Sequence, residues 1–408
     1  MRNNEEVAIV GGGVGGLALA VSLAQSGIGS EVYDGSDEAR HRTAGAFLNL
    51  APNGMRALDA IGLADAVAAS GSSSTGIEFL SSNGRTIARL DAEHERQEFG
   101  FQNTMIRRAD LHGILLDAAQ ENGVAIGWQR RLTGIAETDA QVTMQFDDGT
   151  SKPARTVIGA DGVRSAVRRH VLGADAPDPN YLGLIDVAGF SRSIPSGVVR
   201  GPQRMVFGRH GFFAYYATPA GETWWFANIP HRRSPTPADL GRYTGDGWRP
   251  RLLDLFDDDV PIITAVVAGS DDPVGAWPIT DLPTLSTWHT PRACLIGDAA
   301  HASSSSAGQG ASLAIEDAVV LAALIAEHGA GQRAFASLEH QRKERAGLAV
   351  RTARRNTSSK AAGPIAARIR DLILPRLLRS GAEQAASFMH WEPPTRVAHL
   401  HHEKDPHS

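Results

Sequence analysis

The chain has 408 residues, 42% hydrophobic and 21% charged, with a formal net charge of −5. That length exceeds what one core usually serves, so two cooperating domains with a site between them are expected. The mild negative charge argues against nucleic acid as a partner, because phosphate binding needs a concentrated basic surface.

Residues 6–34 read as strand, glycine turn, helix and strand: Val7–Val10, the turn Gly11 to Gly16, an Ala/Leu-rich helix to about Ser26, then Glu31–Asp34. In this turn Gly11 permits the tight bend, Gly13 lets the backbone approach a pyrophosphate, and Gly16 lets the helix pack closely on the strand. Asp34, at the end of the second strand, is placed to accept from an adenosine ribose hydroxyl. By itself this unit does not separate FAD from NAD. The N-terminus reads as neither a signal peptide nor a membrane span, and no segment reaches the roughly 18 apolar residues that spanning requires.

A helical pattern follows over 50–70, with Met55, Leu58, Ile61 and Leu63 on one face, and another over about 108–121. Strands are expected at Gln141–Phe146, which alternates, and at Thr156–Gly159, which is uniformly apolar as a central strand should be. Between about 175 and 285 the texture changes to short aromatic β segments at 203–209, 211–218, 223–229 and 262–268, with a helix at 237–256. Helices are expected again over about 309–327 and 331–358. A last one, over about 363–388, alternates apolar residues with arginines and should pack across both domains. The expected division is 1–174 and 286–360 for the nucleotide-binding domain, 175–285 for an inserted sheet-rich substrate domain, and 361–408 for a C-terminal helix and tail. The tail histidines His399, His401, His402 and His407 lack carboxylate or cysteine partners at ligand spacing, so no metal site is assigned. The single cysteine, Cys294, lies in an apolar stretch where a buried thiol is expected; no internal disulfide can form, which fits a cytoplasmic protein.

Two further motifs narrow the nucleotide. One is Gly159-Ala-Asp161-Gly162-Val-Arg164-Ser165-Ala-Val-Arg168. The other is Gly297-Asp298-Ala-Ala-His301, followed by Gly308-Gln-Gly310 and Ala314-Ile-Glu316-Asp317-Ala318. Three glycine-acid motifs in this order over roughly 300 residues resemble the single-component (group A) FAD-dependent aromatic hydroxylases, the para-hydroxybenzoate hydroxylase-like monooxygenases. Salicylate hydroxylase and tetracycline-modifying monooxygenases are among their relatives. The resemblance runs from Val7 through Arg342.

That resemblance implies an α/β fold: a Rossmann-like FAD-binding domain of the GR2 type, an inserted sheet-rich substrate domain and C-terminal helices. It also implies non-covalent FAD, NADPH or NADH as a transient reductant, and O2 passing through a flavin C4a-hydroperoxide to an apolar aromatic or polycyclic substrate. Asp161 and Gly162 would lie near flavin and nicotinamide, Asp298 would bind the ribityl chain, and Gly308 and Gly310 would turn helix amides to the pyrimidine ring. Arg108 would lie against the flavin and Arg42 in the loop where flavin and nicotinamide meet, while Arg107 reads as a surface residue. No protein acid–base pair is required, since the cofactor carries the hard chemistry. One departure is Ser305, where many relatives have proline; it becomes a candidate substrate contact. His301 reads as a satisfied structural group. Among the aromatics of the insert, alternation sends half to each face, and Phe213, Tyr215 and Trp225 are the candidates for the substrate pocket. A monomer or homodimer is expected. The alternatives are a redox-neutral cyclase or reductase on the same scaffold, or a flavin-binding module without turnover.

Overall fold

The structure, a computed structural model, describes residues 7–43, 45–92, 94–360 and 364–394. The tail histidines of the sequence reading lie outside these residues. At its centre is a five-stranded parallel sheet in the order Ala293–Leu295, Thr156–Gly159, Val7–Val10, Ser30–Tyr33, Ala125–Gly127. Val7–Val10 and Thr156–Gly159 are buried at every residue, because both faces of the sheet are covered, one by helices and the other chiefly by a three-stranded antiparallel sheet of Leu132–Glu137, Val142–Phe146 and Ser151–Ala154. Helices Val14–Gln25, Arg108–Glu121 and Gly310–His328 share one core with this sheet, and the first and third come very close. A β-carbon built on Gly15 would stand 3.3 Å from that of Ala314.

The second large sheet has seven strands, ordered Gly275–Asp281, Asn180–Ser191, Thr223–Pro230, Phe212–Ala217, Gln203–Phe207, Gly76–Ser81, Thr86–Asp91. The last two come from upstream of residue 175. They join because Gly76–Ser81 pairs in parallel with Gln203–Phe207, a non-local pairing that no turn signal announces. The segment 262–268 is a helix, Ile262–Ala268, although its β-branched residues suggest a strand. Its buried residues Ile263, Val266 and Val267 fall at helical spacing, so packing overrides propensity. In place of one helix over 237–256 there are two, Pro237–Gly241 and Trp248–Leu255.

The seven-stranded sheet faces two ways. Phe213, Tyr215 and Trp225 point to one side, into a core with Trp248, Phe256, Val266 and Val267. Phe212, Tyr216, Trp224 and Phe226 point to the other, where Phe47, Met105 and Phe190 meet them. The C-terminal helix, Pro364–Met389, joins the two units. Toward its middle Leu374 packs on the aromatic face of the sheet, and at its end Phe388 is buried with Leu313 and Ala349 of the first unit. Among the described residues, no helix is long and apolar enough to cross a membrane.

Candidate functional site

The three motifs converge at the ends of the parallel strands. Gly11 has φ +108°, and a β-carbon there would stand 2.3 Å from the Ala160 carbonyl oxygen; one on Gly16 would stand 1.9 Å from the Gly11 oxygen. Both glycines are therefore demanded by the protein's own packing. Gly13 differs: a β-carbon on it meets nothing within 4 Å. It precedes helix Val14–Gln25, whose start has no side-chain cap, so its amides face open space. That is a cradle for a phosphate group rather than a packing contact.

Asp34 borders the cradle. It accepts from the Gly12 amide at 2.7 Å, the Ser36 amide at 2.7 Å and His41 Nε2 at 3.1 Å. Burial works to raise its carboxyl, but these hydrogen bonds outweigh burial and hold it below the usual carboxylate value. His41 stacks on His112 with centroids 4.5 Å apart, and His112 Nε2 donates to the Gly12 carbonyl at 2.7 Å. Sequence reading missed these two histidines, since nothing local marks a residue at 112 as a partner of the turn at 12.

Asp161 is turned toward its own chain. Its oxygens accept from Ser165 Oγ and from the amides of Ala166 (2.6 Å) and Val167 (3.1 Å), fixing the turn through Gly162, whose φ is +76°. Arg168 ties this motif to the third: buried, it donates to the carbonyls of Val163 at 2.7 Å and Ala299 at 3.1 Å. Asp298, in the following motif, is exposed. Yet the protein around it is dense enough to push its carboxyl up, against the pull of the positive charges of His301 and Arg108. Asp298 thus forms part of a wall, exposed on one side and closely backed by protein on the other, and the exposed side is what a ligand can reach.

Beneath that wall lies a closed ionic network. Asp317 accepts from the Gly297 amide at 3.0 Å, His301 Nε2 at 2.6 Å and Arg342 Nε at 2.7 Å. Arg342 also reaches Glu316 at 2.5 Å, and Arg345 pairs with Glu316 at 2.8 Å. Burial works against the Asp317 charge, but His301 and Arg342 outweigh it and hold the carboxyl far below the usual range. Helix Gly310–His328 starts beside this wall. Gly308, with φ +62°, turns the chain into it, and no side chain caps its first amides. Ser305 is exposed in the loop before it, while Ser304 and Ser306 are tied to Thr357 at 2.6 and 2.9 Å.

Several residues stand elsewhere than sequence suggests. Phe213, Tyr215 and Trp225 are core, at most 3% exposed and on the side of the sheet turned away from the parallel-sheet unit. The opposite face carries the open aromatic wall: Phe190 and Phe226 are half-buried there, and Phe47 approaches Phe226 with centroids 6.2 Å apart. Arg42 lies on the short helix Glu38–Thr43, paired with Glu38 (2.8 Å) and Asp117 (3.1 Å) on the surface. Arg108, by contrast, opens its helix as the sequence suggests, packs against Gly45 and lies near enough to Asp298 to act on its charge. Arg107, read as a surface residue, stands over the Phe190 ring at 4.0 Å and pairs with Glu222 at 2.8 Å, bridging the units. A surface hollow of about 360 Å³ near Glu137, Arg155 and Arg292 is lined by none of these groups.

A parallel-sheet nucleotide fold with two uncapped helix starts, an acid beside each and an aromatic wall opposite defines a dinucleotide-dependent enzyme. The FAD binding domain family profile matches residues 4–198 and 267–356. The 3-amino-4-hydroxybenzoate 2-monooxygenase of Streptomyces cremeus is 34% identical over 363 residues, covering 86% of each chain. The 6-hydroxynicotinate 3-monooxygenase of Bordetella bronchiseptica is 28% identical over 368 residues, 88% of this chain and 92% of that one. In fold, a Klebsiella pneumoniae protein, HpxO, solved with FAD and uric acid, overlaps at TM-score 0.80 with 23% identity, over 98% of this chain and 96% of that one. The chain thus belongs to the family of FAD-dependent aromatic-ring monooxygenases. The residues fit that cofactor: the Gly13 cradle and its helix start suit a pyrophosphate, and Asp34 and Asp298 are acceptors suited to sugar and ribityl hydroxyls.

Proposed function

We propose that the protein is an NAD(P)H- and O2-dependent hydroxylase of a small, planar aromatic substrate that binds between the flavin and the aromatic face of the seven-stranded sheet. When bound, FAD supplies the redox chemistry, accepting two electrons from a nicotinamide and activating dioxygen. The chain's residues supply position and electrostatics. Gly13 and the amides opening helix Val14–Gln25 hold the pyrophosphate, Asp34 the ribose, and Asp298 the ribityl chain. The amides following Gly308 and Gly310 stabilise negative charge on the flavin pyrimidine. Phe47, Phe190, Trp224 and Phe226 form a wall that excludes water and matches a flat ring. Asp161 and Gly162 shape the neighbouring turn, beside which a nicotinamide would bind transiently. Arg42, paired at the surface, is left out of this role.

The observation that carries the reading is the pairing of the Gly13 cradle with the Asp298 wall in one molecule. Relatives acting on hydroxylated and amino-substituted benzoates and pyridines suggest the substrate class. With a single cysteine, Cys294, the chain can form no internal disulfide, which fits a cytoplasmic setting. The test is turnover of a panel of hydroxybenzoates and hydroxypyridine carboxylates under oxygen-18 gas. NAD(P)H consumption that depends on substrate, with label in the new ring hydroxyl, is the expected result. Product formed without NAD(P)H, or without label, would overturn the reading in favour of a redox-neutral enzyme.

A further inference from the structure

Among the described residues, four cations lie along or beside the aromatic face of the seven-stranded sheet. Three are arginines with a carboxylate in direct contact: Arg107 with Glu222 at 2.8 Å, Arg354 with Asp281 at 2.6 Å, and Arg370 with Asp371 at 2.7 Å. The fourth, Lys360, closes the helix Gln332–Lys360 and is arranged differently. Its ammonium donates to Asn228 Oδ1 at 2.7 Å, and Asn228 Nδ2 donates in turn to Asp186 Oδ1 at 2.8 Å. An amide thus stands between the lysine and its counter-charge. The same ammonium lies 4.2 Å from the Phe212 ring centre and 5.3 Å from that of Phe226. Asp186 and Lys360 are both half-buried, so this end of the wall is reachable.

We propose that Lys360, held on the aromatic wall by Asn228 and Phe212, selects substrates that carry an anionic oxygen, a carboxylate or a phenolate, on a planar ring. The proposal deepens the hydroxylase reading and rests on it for the place of the substrate. An ammonium has three donors, and among the described residues its hydrogen-bond acceptor is Asn228 alone, so donor capacity remains for a ligand oxygen. The flanking rings displace water from the cation, which strengthens a charge-assisted hydrogen bond to an arriving anion. Each arginine is already neutralised by its own carboxylate and offers less. The electrostatics agree: burial pushes the Lys360 ammonium down to about 8 against the pull of Asp186, and pushes the Asp186 carboxyl up to about 7 against the pull of Lys360 and Asn228. A pair so close to neutrality is readily reset by a ligand's charge.

The test measures dissociation constants, from the change in bound-flavin absorbance, for matched acid and neutral probes. These are 4-hydroxybenzoate against 4-hydroxybenzamide for a carboxylate, and 4-nitrophenol against 4-nitroanisole for a phenolate. The wild-type holoenzyme should bind the acid of at least one pair roughly 10–100-fold more tightly. K360M should collapse that preference with FAD still bound, and K360R should retain most of it. N228D keeps the lysine and the side-chain size but sets a carboxylate directly on the ammonium, as on the three arginines, and should also abolish the preference. No preference in the wild type in either pair, or a preference that survives in N228D or K360M, overturns the proposal. So does an equal weakening of acid and neutral probes in K360M, which is what a lysine that merely docks helix on sheet would give. Oxygen-18 incorporation is read separately: labelled product without acid preference removes this inference and leaves the hydroxylase reading standing, while acid preference without label does the reverse.

Discussion

The charged cluster under the third motif and the one on the aromatic face are built in opposite ways. Asp317 accepts from an amide, a histidine and an arginine, and Arg342 spans both Asp317 and Glu316, so every charge meets a partner directly. Asp186 and Lys360 share one bridging amide instead. A saturated buried network rigidifies what rests on it, here the turn that presents Asp298; a relayed pair keeps donor capacity and a protonation state near balance. On the proposal above, the first cluster serves as scaffold and the second as recognition.

The largest effect that would break this distinction falls on the saturated cluster. D317A strands Arg342 and His301 in the core and should cost about 3–5 kcal/mol in denaturant unfolding; a loss under 1 kcal/mol would mean the network is not the support described. The two faces of the sheet give the next contrast. W225A removes a fully buried ring from the core and should cost about 3 kcal/mol while leaving ligand affinity nearly unchanged. F226A should cost only about 1–2 kcal/mol but raise KM or the dissociation constant for a planar ligand. Reversal of that pattern would return Trp225 to the pocket.

The smallest effect concerns pH. The Asp186 carboxyl is raised in the fold to about 7 from its ordinary 3.8, so between those values the folded protein keeps a proton that the unfolded chain has lost. Its contribution to stability therefore falls as pH rises through that window. The stability of wild type relative to D186N should decline from about pH 4 to about pH 7, followed by urea unfolding at several pH values. A flat difference would place Asp186 in ordinary solvent.

Legibility followed the same physical divide. The glycine turns could be read because each carries a local constraint: the bends at Gly11 and Gly308 and the contact of Gly16 with the Gly11 oxygen; the second constraint on Gly11, its approach to Ala160, is distant in sequence. The aromatic wall could not. In Phe212–Ala217 and Thr223–Pro230 large rings occupy both parities, so the pattern shows two apolar faces without saying which meets the cofactor unit. Sequence gives no sign that Arg107 leaves the surface, because the rings it stands on come from residues 190 and 224. The Asp186–Asn228–Lys360 relay joins two strands to a helix end, and no spacing in the sequence foretells it.

Titration of the apoprotein with FAD tests the central claim, that the Gly13 cradle and the Asp298 wall together hold the cofactor. The wild type should bind non-covalently, and D298A should bind about 10–100-fold more weakly. G13A should lose affinity while unfolding like the wild type, since a β-carbon there touches no protein atom, whereas G16A should lose stability first. Wild-type affinity in both D298A and G13A would contradict the account, because the cofactor would then lie somewhere other than this site.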